Sequence, residues 1–151
     1  MRPVVIVPTY NERDNLPTVV ARLMEIPDLQ VLVVDDGSPD GTGGIADALA
    51  ERAAGRVSVL HRTGVRGLGL SYIDGIRHAL ATDATHVCQM DADLSHNPAD
   101  IPRLLAATSE ADVAIGSRYV PGGAIENWPV RRRLLSAFAN RRSEEHTSEL
   151  Q

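Results

Sequence analysis

The sequence predicts an open α/β sandwich with a mostly parallel sheet. Three observations carry that expectation. Short, almost wholly apolar runs recur along the chain, segments of helical period lie between them, and every run ends in acids, glycines or other polar residues. Strands buried on both faces lose the alternation of a half-exposed strand, so continuous apolar runs flanked by helices mean a parallel sheet covered on both sides. Right-handed crossovers then wind the chain into a doubly wound unit.

The elements follow in order. Residues 4–7 (VVIV) read as the first strand, ended by Pro8. Residues 16–26 are a helix, with Asp14 or Asn15 as N-cap and Pro17 in the first turn. Residues 31–34 form the second strand and residues 45–54 the next helix, with Ile45 and Leu49 on one face. Residues 57–60 are a third strand, followed by the glycine-rich loop HRTGVRGLG. A helix over residues 71–81 carries Ile73, Ile76 and Leu80. Residues 86–90 are a fourth strand, residues 101–107 a helix behind Pro98, and residues 113–115 a fifth strand.

Bulk properties narrow the function classes. The 151 residues suit one domain with a sizeable core. A formal net charge of −5 does not favour generic nucleic-acid binding. Every one of the fifteen basic residues is arginine. Cys88 is the single cysteine, so no internal disulfide or zinc cluster is expected. The opening MRPVVIVPTYNE reads as a core strand rather than a signal peptide, and no run approaches the ~20 apolar residues of a membrane span. A cytoplasmic location is the expectation. The final ten residues, RSEEHTSELQ, share no periodicity with what precedes them. They resemble the translation of a sequencing-library adapter, so residues 142–151 are read as a non-native tail and residues 1–141 as the natural stretch, expected to continue beyond it.

In sheets of this kind ligands bind beyond the carboxyl ends of the strands. The segments there are PTYNE, DDGSPDGT, RTGVRGLG, DADLSH and GSRYVPGG. In DAD, Asp91 and Asp93 occupy positions i and i+2 of an extended segment and point the same way. Two adjacent carboxylates repel unless a cation or proton intervenes, and hard oxygen ligands suit Mg²⁺ or Mn²⁺. A helix-capping acid beside a solvated turn would give the same letters, but the convergence of polar strand exits favours the metal. Asp35 and Asp36 can accept from ribose hydroxyls or a base N–H, with Ser38, Asp40 and Thr42 serving the turn and the helix cap. Tyr10 can stack on a base and Glu12 accept from it. GVRGLG can bring backbone N–H groups near a pyrophosphate, with Arg66 beside it. The G-x-G-x-x-G spacing is absent, which argues against a nicotinamide dehydrogenase. Arg118 follows the fifth strand, and Arg131, Arg132 and Arg133 cluster after Pro129; arginine forks match phosphate oxygens. The histidines show no metal-ligand spacing, and only His96 lies beside the DAD.

Taken in order, PTYNE, VVDDGSPDGT, MDADLSH and GSRYVPGG with ENWPVRRRLLS resemble the polyprenyl-phosphate (dolichol-phosphate) mannose synthases, above all the actinobacterial type. These are inverting family 2 glycosyltransferases of the GT-A fold, a Rossmann-like α/β/α sandwich, and the likeness covers residues 3–140. The first two motifs are shared widely in family 2; the last is more specific. The resemblance implies a GDP-mannose donor, a divalent cation, Mg²⁺ or Mn²⁺, and a polyprenyl phosphate acceptor at the cytoplasmic face of the membrane. A membrane-anchoring domain or partner would lie outside this stretch. It further implies that Pro8, Tyr10, Glu12, Asp35, Asp36 and Asp91 line the nucleotide-sugar site. Asp91 and Asp93 would hold the metal, with Ser95 falling where some members carry a glutamine ligand. Arg118, Arg132 and Ser136 would grip the acceptor phosphate, and Asp91, Asp93 and Arg118 would be the catalytic set. The family's domain runs further on the acceptor side, so the chain reads as C-terminally truncated.

Other readings stay open at this level: another nucleotide-sugar donor or a saccharide acceptor on the same fold, or an inactive fragment. A receiver-like domain, which also gathers acids at strand ends, relies on a lysine that this chain lacks.

Overall fold

Valine and isoleucine are stiff, branched side chains that pack well on a pleated surface, and runs of them favour strands buried on both sides. The structure, a computed structural model, describes residues 1–117. Its strands are β1 (Pro3–Thr9), β2 (Gln30–Asp35), β3 (Val57–His61) and β4 (His86–Gln89). They form one parallel sheet in the order β3-β2-β1-β4. Met1–Ala114 make one compact unit and Ile115–Gln151 a second; the sheet and its helices belong to the first.

All seven residues of β1 are buried, as befits a strand with neighbours on both edges. Its side chains alternate between two cores. Val5 and Val7 join Val31, Val33 and Val57 on one face, where α1 (Leu16–Met24), α2 (Thr42–Arg52) and α4 (Ile101–Ala107) contribute Leu16, Leu23, Ala46 and Ile101. Val4 and Ile6 join Leu32 and Val34 on the other face, under α3 (Leu68–Leu80) with Ile76 and Ala79. The result is the α/β/α sandwich expected from the sequence. Each fully buried Val, Leu or Ile contributes roughly 1.5–3 kcal/mol.

Local chemistry fixes the helices. In α1 the buried Leu16, Val19, Val20 and Leu23 repeat at i, i+3, i+4 and i+7. Its far end is tied down by Arg56, whose guanidinium donates to the carbonyls of Met24 (3.1 Å), Ile26 (2.6 Å) and Leu29 (3.2 Å). Helix α3 approaches the sheet through Gly75, where a Cβ would lie 2.6 Å from Ile6 Cγ2. Only a residue without a side chain permits that approach.

Four sequence expectations are corrected. Pro8 does not end β1; it pairs in register with Val34. Along a parallel strand successive residues turn their N–H and C=O to opposite neighbours. Ile6 accepts from Met90 on the β4 side and Thr9 from Asp36 on the β2 side. The missing N–H of Pro8 therefore points toward β4, whose ladder ends at the Ile6–Gln89 pair, so no bond is lost. Helices α2 and α3 each begin three residues early, at Thr42 and Leu68, because the preceding Gly41 and Gly67 end the loops there. Asn15 occupies the N-cap position of α1, one of the two residues expected there, though without a side-chain capping bond. Residues 113–115 form no strand: Val113 and Ile115 are 72% and 82% exposed and pair with none of the four described strands. An apolar triplet becomes a strand only where a partner takes its backbone groups.

Candidate functional site

The chain steps outward from β1 to β2 to β3, then crosses back to place β4 on the other side of β1. That reversal leaves a crevice beyond the carboxyl ends of β1 and β4, where open α/β sheets bind ligands. A cleft of about 220 Å³ lies there. Six of the sequence-predicted residues line it: Pro8, Tyr10, Glu12, Asp36, Asp91 and Asp93.

Its β1–β2 side is sewn together by side chains meeting backbone. Thr42 Oγ1 accepts from the Glu12 N–H (3.0 Å), Ser38 Oγ from the Asn11 N–H (3.1 Å) and Asp40 Oδ2 from the Arg13 N–H (3.2 Å). Asp40 also accepts the Thr42 N–H (3.0 Å) and hydroxyl (2.6 Å), which holds the turn into α2; the N-cap position itself is taken by Gly41 rather than by Asp40 or Thr42 as expected. The Thr42 hydroxyl is the main reason the Asp40 carboxyl titrates below its usual range. Glu12 is oriented by Asn15 Nδ2, which donates to Oε2 at 2.7 Å.

The two adjacent aspartates part company. Asp35, 4% exposed, does not line the cleft. Its carboxylate accepts from the Ser38 hydroxyl (2.5 Å), the Ser38 N–H (3.3 Å) and the Thr9 hydroxyl (3.3 Å), so it shapes the turn from inside. Among the described residues Asp35 supports the turn that carries Ser38. Asp36 faces the cleft, yet both its oxygens have protein partners: Arg62 Nη1 on Oδ1 and the Gly67 N–H on Oδ2 at 2.7 Å.

Arg62, its side chain only 8% exposed, also donates to Asp74 Oδ2 (2.8 Å) and the Val65 carbonyl (3.2 Å). The Asp74 bond chiefly raises its pKa, and Arg62 in turn holds the Asp74 carboxyl below its usual range. Through Arg62 the glycine-rich loop is clamped against Asp36. The same loop carries Arg66, whose guanidinium lies 4.7 Å from the Tyr10 ring centroid and bonds the Tyr10 hydroxyl. One face of the ring expected to stack on a base is thus covered by a cation.

On the β4 side, Asp91 and Asp93 both line the cleft, together with the buried Ala92 between them, at a bend that follows the strand. Asp91 Oδ1 accepts from the Tyr72 hydroxyl at 2.7 Å, and the Asp91 N–H donates to His96 Nδ1 at 3.2 Å. Burial, then the bond to Asp91, pushes the Tyr72 pKa up, so the phenol stays protonated and donates. Asp93 Oδ1 accepts the Ser95 N–H at 2.9 Å, and the Ser95 hydroxyl is the main cause of its lowered pKa. Ser95 thus bonds Asp93 and is not among the residues lining the cleft. Asp91 Oδ2 takes no hydrogen bond from the described residues. No group of three or more His, Cys, Asp or Glu that could hold a metal ion occurs among them either. Two carboxylates without a third protein ligand fit Mg²⁺ or Mn²⁺ that completes its shell with water and phosphate oxygens.

Arg118, Arg132 and Ser136, with their neighbours Arg131 and Arg133, lie outside the described residues. Sequence reading passed over Arg62 and Tyr72. The one signal for Tyr72 was general: a tyrosine on the inner stripe of a helix needs a partner for its hydroxyl.

Comparison with known proteins agrees with this geometry. The family model described as glycosyl transferase family 2 matches residues 4–149. The polyprenol monophosphomannose synthase of Mycolicibacterium smegmatis is 53% identical over 92% of this chain and 53% of its own. The undecaprenyl-phosphate mannosyltransferase of Micrococcus luteus is 50% identical over 90% of this chain and 56% of its own. The chain thus spans about half the length of the curated relatives it matches. Among solved structures, a mannosyltransferase from Pyrobaculum calidifontis in complex with GDP-Man and Mn²⁺ superposes with a TM-score of 0.55 at 31% identity, over 61% of this chain and 27% of the other.

Proposed function

The chain belongs to glycosyl transferase family 2, and from that premise we propose that it is the donor-binding part of an inverting mannosyltransferase. The substrates in this reading are GDP-mannose and a polyprenyl phosphate. The observation that carries it is the meeting of Tyr10 and Glu12, just after β1, with Asp91 and Asp93, just after β4, in one cleft. The printed names of relatives at 50–53% identity support the sugar and the lipid. The Mn²⁺ and GDP-Man of the Pyrobaculum structure support the metal and the nucleotide.

In this reading Tyr10, Pro8 and Glu12 take the nucleoside, and Asp91 and Asp93 hold the cation. When bound, the divalent cation offsets the charge that builds on the nucleoside diphosphate as the glycosidic bond breaks. The chain's own task is placement. Asp36, clamped by Arg62 and Gly67, fixes the glycine-rich loop at the cleft edge. Asp91 and Asp93 fix where the diphosphate lies. Arg118, Arg132 and Ser136 grip the acceptor phosphate. A phosphate monoester is already largely ionised near neutral pH, its second pKa being about 6, so its oxygen attacks without a protein base. One displacement inverts the anomeric carbon. The acceptor lipid places the reaction at the cytoplasmic face of a membrane; among the described residues no helix is long and apolar enough to cross one. We further take residues 142–151 as a non-native tail and the fragment as weak in transfer.

The test has two arms. Isothermal titration of the 151-residue chain with GDP-mannose should show affinity that rises with Mn²⁺ or Mg²⁺. A clone extended to the length of the relatives should move radiolabel from GDP-mannose into solvent-extractable polyprenyl lipid, with little transfer by the fragment. Label appearing in water-soluble glycan instead would favour a saccharide acceptor, and no donor binding would end the proposal.

A further inference from the structure

Helix α3 touches both halves of the cleft. From its first turn Ser71, 1% exposed, lies 3.5 Å from Arg62 Nη1, and Asp74 takes Arg62 Nε, so this helix supports the clamp on Asp36. One residue after Ser71, Tyr72 reaches across to Asp91 on the opposite side. Neither link depends on neighbours in sequence: Tyr72 and Asp91 are 19 residues apart. What brings them together is the depth at which α3 sits. At Gly75, one turn beyond Tyr72, a Cβ would overlap Ile6 and crowd Val34 at 3.1 Å. The missing side chain lets the helix settle on β1 and β2, and the partly buried Tyr72 packs against the core cluster that contains Ile6 and Val34.

We propose that Tyr72 is a positioning residue for the donor's metal–diphosphate group, acting through Asp91. Its hydroxyl occupies Oδ1 and holds the carboxylate in one rotamer, so that Oδ2 is presented to the cleft beside Asp93. His96 holds the backbone of the same residue through the Asp91 N–H. A carboxylate fixed at both ends meets a cation without first giving up rotational freedom, and hydrogen-bond partners of metal-binding groups commonly matter 10–100-fold in metal affinity. The competing account is that Asp91 merely satisfies a half-buried phenol. The two differ in what is lost with the hydroxyl: metal-dependent binding in the first, stability alone in the second.

This inference rests on the donor-site reading above, and the experiment separates the two. The 151-residue chain and its Tyr72→Phe variant are titrated with GDP, once with saturating Mn²⁺ and once with metal chelated, and both are unfolded in urea. Phenylalanine keeps the ring and its packing. Tyr72→Phe is expected to cut the Mn²⁺-dependent gain in GDP affinity about tenfold, while metal-free GDP affinity holds within about twofold. An unchanged Mn²⁺ gain overturns the proposal, as does an equal loss with and without metal. Should the variant fail to fold, the wild-type chain still decides. With ring-labelled tyrosine, substoichiometric Mn²⁺ with GDP should broaden the Tyr72 ring signals, and signals that stay sharp overturn the proposal. A wild-type chain whose GDP affinity ignores Mn²⁺ removes the donor-site reading itself, whatever the variant does.

Discussion

The two walls of the cleft are built by opposite means. On the β1–β2 side nearly every polar group already has a protein partner: Asp35 with Ser38 and Thr9, Asp36 with Arg62 and Gly67, Asp40 with Thr42 and Arg13. On the β4 side the carboxylates keep acceptor capacity facing the cleft, with Asp91 held by one phenol and Asp93 by the Ser95 turn. The first wall is shaped before any ligand arrives. The second keeps negative charge open toward the cleft. On the proposed function, this division would separate nucleoside recognition, a matter of fixed shape, from binding of a cation and diphosphate, a matter of charge.

That contrast can be broken most severely on the β4 side. Replacing both Asp91 and Asp93 by alanine should abolish the Mn²⁺-dependent part of GDP-mannose affinity, a loss on the order of a hundredfold, while the urea midpoint stays close to wild type. Calorimetry with and without chelator checks it, and retained metal dependence would falsify the metal assignment.

On the β1–β2 side the same severity should appear as lost stability. Arg62→Met leaves Asp36, largely buried at the cleft wall, without its cation and should cost about 2–3 kcal/mol, less than a fully enclosed pair because water reaches the cleft. Urea unfolding measures this; an unchanged midpoint would show that the clamp contributes nothing.

Acid should discriminate the walls more gently. The Asp40, Asp74 and Asp93 carboxyls all titrate below the ordinary value of 3.8. Near that pH the unfolded chain binds more protons than the folded one, so stability rises with pH there. The contribution is present above pH 3.8 and lost as pH falls through the lower folded values. In Arg62→Met the Asp74 share shrinks to what Arg77 supplies, and the acid limb of a stability–pH curve should be shallower than wild type; an identical limb would count against the Arg62–Asp74 pairing.

The smallest effect is expected at Arg66. Its stacking on Tyr10 is exposed, and Arg66→Ala should change stability by less than about 1 kcal/mol. A larger shift would mean that this contact also holds the glycine-rich loop.

Much of the frame was legible because it rests on short-range periodicity. The valine runs announced buried parallel strands, and the helical period of the segments between them announced the helices. Pro8 misled because its cost depends on which neighbour its absent N–H faces, a property of strand order. Residues 113–115 misled because three apolar letters name no partner.

By itself the sequence determined the fold class, the strand exits where ligand chemistry gathers and the pair of carboxylates at the fourth of them. Only the tertiary structure decided what each acid does. Asp35 and Asp36 are adjacent letters with the same chemistry, yet one is buried under a turn and the other is clamped at the cleft. Tyr72 reaches Asp91 because Gly75 lets a helix sink onto the sheet. Periodicity encodes which way a side chain points from its own element. Its partner is set by how elements dock, and that is fixed by packing between residues far apart in the chain.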